Sequence, residues 1–249
     1  MIRIAATGDV HFGEDSGGTL RPHLEHLGDN ADLFLIAGDL TNWGTVAEAQ
    51  VLAEELRDLP VPVVLVLGNH DYQSDEPDKI RQVLTDAGVV VLEGESATFD
   101  VRGQKVGIAG TKGFGGGFAG ACGTAFGEPE MKAFIDHTQR LADRLERCLT
   151  DLDADHKVAL MHFSPVEQTL RGERLEIYPF LGSYLLAEAC DRGGADLIVH
   201  GHAHAGTEKG VTAGGVHVRN ASRFVIRHAY KVYCLGGAGD VACDDSAAA

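Results

Sequence analysis

The chain has 249 residues, 44% of them apolar and 23% charged, which allows one large unit with a real core and excludes a disordered or fibrous polypeptide. Its formal net charge of −16, from 37 acidic against 21 basic residues, argues against an extended nucleic-acid footprint but leaves room for a small phosphate-bearing ligand held by a local site. Five cysteines with no CxxC spacing predict reduced thiols in place of a disulfide framework or thiolate zinc site.

No stretch of 18 uncharged apolar residues occurs, and "MIRIAATGDV" is not a secretory leader, so the expectation is a cytoplasmic protein without a membrane span. Oligomeric state is left open.

The chain opens with three apolar runs, "IRIAATGD" ending at Asp9, "DLFLIAGD" at Asp39 and "VPVVLVLGN" at Asn69. Their spacing matches one strand–helix–strand unit, and near-continuous apolar character is what strands buried on both faces require. Between them, "TVAEAQVLAEELRDL" (45–59) places Val46, Ala49, Leu52, Ala53 and Leu56 on one helical stripe. A helix over 76–88 closes at Gly88. Three short strands in close succession, "GVVVLEG", "SATFDVRG" and "QKVGIAG", then read as a meander.

The stretch "TKGFGGGFAGACG" (111–123) contains GxGxxG at Gly115, Gly117 and Gly120. It lacks the strand-to-helix turn and following acidic residue of a dinucleotide site. We read it as a mobile loop near the functional rim, with Lys112, Phe114 and Phe118 as substrate contacts. A long helix covers roughly 130–151, with Pro129 in its first turn. "HKVALMHF" is a strand leading to His162, and the segment 164–182 offers Arg171, Arg174 and Tyr178 to a phosphate or base. A helix closed by glycine, the strand "ADLIVHGH" and a closing hairpin from "GGVHVRNAS" and "RFVIRHAYKVYCLGG" complete the pattern. Residues 1–236 are expected to form a single domain, and the small, polar residues 237–249 a frayed tail.

Chelating residues fall just past the ends of five of these strands: Asp9 and His11, Asp39, Asn69 and His70, His162, and His202 with His204. In open α/β sheets, ligands bind beyond the carboxyl ends of the strands. Residues two apart on an extended backbone share a side, so His202 and His204 can serve one place. Carboxylate, amide and imidazole donors without thiolate suit Mn, Fe, Zn or Co. With His70 set aside, the seven remaining donors are too many for one ion with an open position, and they suit two divalent metal ions bridged by Asp39. Neither GxSxG nor a P-loop appears.

The series DxH (Asp9, His11), GD (Asp39), GNHD (Asn69 to Asp71), H (His162) and GHxH (His202, His204) resembles that of the calcineurin-like metallophosphoesterase superfamily. The resemblance implies an α/β fold, a four-layer αββα sandwich with two central mixed β-sheets and a dimetal site at strand C-terminal ends. It also implies that Asp9, His11, Asp39 and His204 hold one metal, while Asp39, Asn69, His162 and His202 hold the other. A metal-bridging hydroxide would attack phosphorus in line, with the cations roughly 3.5–4 Å apart. His70 would stabilise the transition state or protonate the leaving oxygen, oriented by Asp71. His200 falls outside the ligand pattern and is expected to support the site from below.

The function implied is a phosphodiesterase or small-molecule phosphatase acting on a small phosphate ester. A non-catalytic metal-binding scaffold of the same fold and a nuclease-type phosphodiesterase are the alternatives.

Overall fold

The computed structural model describes residues 1–236, so the expected tail at 237–249 lies outside the described residues. The strands are β1 (Ile2–Thr7), β2 (Leu33–Ala37), β3 (Val63–Val66), β4 (Val90–Val91), β5 (Glu95–Val101), β6 (Gln104–Thr111), β7 (Gly117–Phe118), β8 (Ala121–Cys122), β9 (His156–Met161), β10 (Leu197–His200), β11 (Lys209–Val211), β12 (His217–Asn220) and β13 (Lys231–Leu235). One sheet has the order β13-β1-β2-β3-β4 and the other β11-β12-β10-β9-β6-β5, with β7-β8 a small separate ribbon. Both large sheets are mixed. The run β1 to β4 is parallel with β13 antiparallel on β1, and β6, β9, β10 and β12 are parallel between the antiparallel edges β5 and β11.

Alternation along the strands builds the layers. Ile2, Ile4, Leu33, Leu35, Val64 and Val66 point to one side and meet Val106, Ile108, Val158, Leu160, Leu197 and Val199 of the second sheet. The opposite faces pack on helices. Ala5, Phe34, Ile36 and Leu65 meet Leu52 of the helix Val46–Leu56 and Ile80 and Leu84 of Pro77–Asp86. Ala109, Ala159, Met161 and Ile198 meet Leu145 and Leu149 of Pro129–Asp151 and Leu186 of Tyr184–Gly193. The result is helix on sheet on sheet on helix, the four-layer arrangement anticipated above. No helix among the described residues is long and apolar enough to cross a membrane.

Three expectations need correcting. The meander does not form: Val90–Val91 pairs with β3 as the edge of the first sheet, and after Leu92–Gly94 the chain enters the second sheet as the β5–β6 hairpin. Periodicity marks each strand but not which sheet it joins. The closing hairpin is likewise absent, because β12 adds to β10 in one sheet, Arg223–Ile226 is a helical turn, and β13 returns to β1 in the other. Finally, Cys122, Cys148 and Cys190 are free thiols, whereas Cys234 is disulfide-bonded.

The helix Val46–Leu56 fastens the loops at both its ends. At its start Thr45 and Glu48 form a capping box, and the Glu48 carboxylate also accepts the Trp43 N–H at 2.9 Å. Near its end, buried Glu55 accepts backbone N–H groups of Gly18, Leu20 and Arg21 at 2.6–2.9 Å. These bonds outweigh burial and hold the Glu55 pKa below its ordinary value. Glu55→Ala leaves three amides without their acceptor and is expected to lower unfolding free energy by about 1–3 kcal/mol near neutral pH. Because the folded pKa is depressed, that stabilisation is complete above the ordinary carboxylate range and is lost as pH falls through the folded value. In denaturant titrations, the gap between wild type and variant should therefore close in acid.

Candidate metal centre

Loops leaving β1, β2, β3, β9 and β10 converge on one rim. The backbone fixes their mutual position: Asp9 N donates to Gly38 O at 2.9 Å, His11 N to Asp39 O at 3.1 Å and Gly201 N to His162 O at 3.1 Å. Asp9, His11, Asp39 and His202 all have positive φ, from 47 to 68°. Left-handed backbone is costly for a side chain bearing a Cβ and persists where the surroundings over-determine it. Four such residues at one rim mark a site whose side-chain directions are set by the turn itself.

Two glycines have a steric reason. A Cβ on Gly68 would lie 2.1 Å from Asp39 Oδ1, and one on Gly201 would lie 2.5 Å from Asp9 Oδ2. The backbone passes directly beneath both carboxylates. His70 N accordingly donates to Asp39 Oδ1 at 2.9 Å, and His202 N donates to the Asp9 carboxylate at 3.0 Å.

Two groups of donors result. One ligand atom from each of Asp9, His11, Asp39 and His204 lies within 4.8 Å of the others, and the same holds for Asp39, His162 and His202. Asn69 Oδ1, 3.0 Å from His162 Nε2, adjoins the second group. Asp39 belongs to both.

Asp9 and Asp39 are each only 1% exposed. Burial alone would raise their pKa values, yet the contacts with His204 and His162 hold both below the ordinary value. Burial pushes His162 down, but Asp39 beside it wins and lifts it to about 9. His204 is also raised, against burial, by Asp9 at 2.9 Å. Burial lowers His11, and it takes His202 to about 3, helped by neighbouring His162. Without a cation, His162 and His204 would take up part of the charge that the two sunken carboxylates demand.

Divalent cations fit this set. The donors are carboxylate, amide and imidazole, and His11 Nε2 is buried with no hydrogen-bond partner, only 3.8 Å from Asp39 Oδ2.

His70 stands beside the groups, its Nε2 3.9 Å from Asp39 Oδ2. Its Nδ1 contacts the Asn42 carbonyl at 2.8 Å. A carbonyl can only accept, so Nδ1 carries hydrogen and Nε2 faces the rim. Asp71 does not orient His70, contrary to expectation. Its buried carboxylate instead accepts from Leu40 N, Thr41 N, Thr41 Oγ1 and Gly68 N at 2.6–3.1 Å, tying the GD loop to the GNHD loop. Burial outweighs these donors and raises its pKa to about 6. His200 is fully buried against Thr169 Oγ1 at 2.9 Å, the supporting place its spacing suggests.

Other candidates fare differently. Phe118 and Tyr178 are buried together, with the Tyr178 hydroxyl donating to Leu170 O, which removes both from substrate contact. Arg171 and Arg174 are exposed. Lys112 is buried, its Nζ about 5 Å from the rings of Tyr72, Phe114 and Phe163.

Sequence reasoning missed Phe224, whose ring stacks on His204 at 4.3 Å and 27° while remaining 54% exposed. It also missed the Asn42 carbonyl, which has no side-chain signature.

A family model described as calcineurin-like phosphoesterase matches residues 2–206, and the chain belongs to that family. A metallophosphoesterase-type protein of Caenorhabditis elegans is 32% identical over 113 residues, covering 44% of this chain and 23% of the relative. The chain thus matches about a quarter of that relative's length. Among solved structures, a 5′-nucleotidase-type protein of Staphylococcus aureus superposes with a TM-score of 0.57 at 16% identity, covering 97% of this chain and 52% of that one. The protein TT1561 of Thermus thermophilus gives 0.52 at 16% identity, with 90% of each chain covered.

Asp39→Asn removes the charge common to both donor groups. Metal analysis after equilibration with manganese should show both equivalents weakened together, and an unchanged two-metal content would refute the shared role. Gly68→Ala should impair loading equally, since its methyl displaces the same carboxylate.

Proposed function

We propose that this chain is a dimetal hydrolase of small phosphate esters, acting on diesters in preference to monoesters. The observation that carries the reading is a pair of donor groups sharing Asp39, with the His70 Nε2 directed at the same rim. Asp9, His11, Asp39 and His204 would hold one cation, and Asp39, Asn69, His162 and His202 the other. Mn, Fe, Zn or Co suits these donors. When bound, the two cations neutralise phosphoryl charge and make water a stronger nucleophile near neutral pH.

The protein's own residues do the rest. The left-handed turns and the glycines beneath the carboxylates keep the donors preorganised, so little rearrangement accompanies substrate binding. His70, held through Nδ1 by the Asn42 carbonyl, keeps Nε2 available. In its protonated form it donates to the leaving oxygen, and in its neutral form it accepts a proton from water on the return. Asp71 acts at one remove, by holding the loops that carry Asp39 and His70. A cavity of about 920 Å³ opens beside Asp9 and His11, giving the second arm of a diester somewhere to lie.

Manganese-loaded protein should hydrolyse bis-para-nitrophenyl phosphate faster than para-nitrophenyl phosphate, and chelation should abolish both activities. Two bound metals with no turnover across monoesters, diesters and 2′,3′- or 3′,5′-cyclic nucleotides would favour a non-catalytic scaffold. His70→Ala should lower kcat by roughly 10²–10⁴-fold with both metals retained. Wild-type turnover in that variant would remove His70 from the chemistry.

A further inference from the structure

The cavity beside Asp9 and His11 has a chemistry of its own. One wall is the segment 222–230, which carries Arg223, Phe224 and Arg227, and the other is the turn around Arg21–Asn30. The walls are fixed to each other and to the metal centre. Arg223 N donates to Gly8 O at 2.9 Å, one residue from Asp9, and Asn30 Nδ2 donates to the hydroxyl of buried Tyr230 at 3.0 Å. All of the Arg wall lies beyond residue 206, outside the part of the chain that the family model matches.

Three features of that wall point to a ligand. Arg223 and Arg227 have neither a carboxylate within 4.0 Å nor a side-chain hydrogen-bond acceptor among the described residues; exposed Arg140, Arg171 and Arg174 are similarly free, but only Arg223 and Arg227 line this cavity. In a chain of net charge −16, two uncommitted guanidinium forks at one cavity suit an anion that accepts two parallel hydrogen bonds. Phe224 uses one face against His204 and leaves the remainder of its ring exposed, 6.0 Å from His11. Such a ring is a seat for a planar group next to the reacting centre. The opposite wall carries Glu25 and Asp29, with Asp29 3.7 Å from His26. That wall also holds His23 and His26 beside the two carboxylates, so the Arg side, with two guanidinium groups, is the more favourable place for a second negative group.

Resting on the phosphoesterase reading but not on its diester preference, we infer that the cavity, whether or not it also takes the second arm of a diester, is a specificity subsite for a monoester substrate carrying a planar ring and a second phosphate, that is, a nucleotide with two separate phosphate groups. One phosphate lies at the metal centre, the ring on Phe224, and the second phosphate between Arg223 and Arg227.

The test uses manganese-loaded full-length protein and adenosine 3′,5′-bisphosphate, with uncharged adenosine as comparison, followed by titration calorimetry. The double variant Arg223→Gln/Arg227→Gln should weaken the bisphosphate by about tenfold or more relative to its effect on adenosine. Phe224→Ala should weaken both ligands, and lysine at the two arginine positions should restore part of the bisphosphate affinity. In hydrolysis, the ratio of kcat/KM for the bisphosphate to that for bis-para-nitrophenyl phosphate should fall by a similar factor in the double variant. Failure of the bisphosphate to bind wild type, or equal losses for both ligands in the double variant, overturns the subsite. Arginine-dependent binding without hydrolysis of any ester overturns the phosphoesterase reading alone, and hydrolysis without arginine dependence overturns the subsite alone.

Discussion

Two sunken carboxylates, Asp9 and Asp39, govern everything at the rim of this molecule. An ionised carboxylate taken out of water is tolerated only beside compensating charge and donated hydrogen bonds. Here His162 at 3.2 Å, His204 at 2.9 Å and the backbone amides of His70 and His202 face the two carboxylates. Those partners come from the second half of the chain as well as from the next loop along. Satisfying two oxygen pairs therefore requires that both sheets be present and in register. The centre and the fold are one electrostatic problem with one solution.

The sheets make that solution possible because their inner strands are parallel. Parallel strands end on the same side, and so β1, β2, β3, β9 and β10 all discharge their loops at one rim. Nothing else about the strands needs to be chemically special. Their core-facing side chains are mostly Ile, Leu, Val and Ala, with Phe34 and Met161, facing other apolar layers, and the chelating residues come just past the ends of the apolar runs. Glycine then lets the chain turn close beneath the charged groups: at Gly68 and Gly201 any larger residue would occupy the space of a carboxylate oxygen.

That division explains what could be read from the sequence. The apolar runs and the polar residues that end them were legible as strings, because burial and chelation both have residue-type signatures. So were the amphipathic helix within 45–59 and the proline-initiated helix at Pro129. Sheet membership was not legible. Val90–Val91 and the β5–β6 hairpin are three similar strands in a row, and only packing decides that the first stays behind while the next two cross to the other layer. Asp71 shows a related blindness. A carboxylate next to a histidine looks like its orienting partner, but its reach to Leu40, Thr41 and Gly68 depends on loops from two different strands meeting. The real partner of His70 is a main-chain carbonyl, and a carbonyl is present at every residue. Phe224 was invisible for a third reason: its importance is a matter of stacking on His204, from which it is separated in the chain by β11 and β12 of the second sheet.

The pairing of β13 with β1 carries a consequence for how the molecule comes into being. The first strand, from which Asp9 emerges, acquires its outer neighbour from residues 231–235, and the donor His204 also arrives late in the chain. A ribosome-bound fragment therefore holds the early motifs without the strand and the imidazole that complete them. High sequence separation of this kind slows folding and delays assembly until residues 231–235 have been made. Synthesis order thus leaves both donor groups to be completed late, together with the closure of the sheet from which Asp9 emerges.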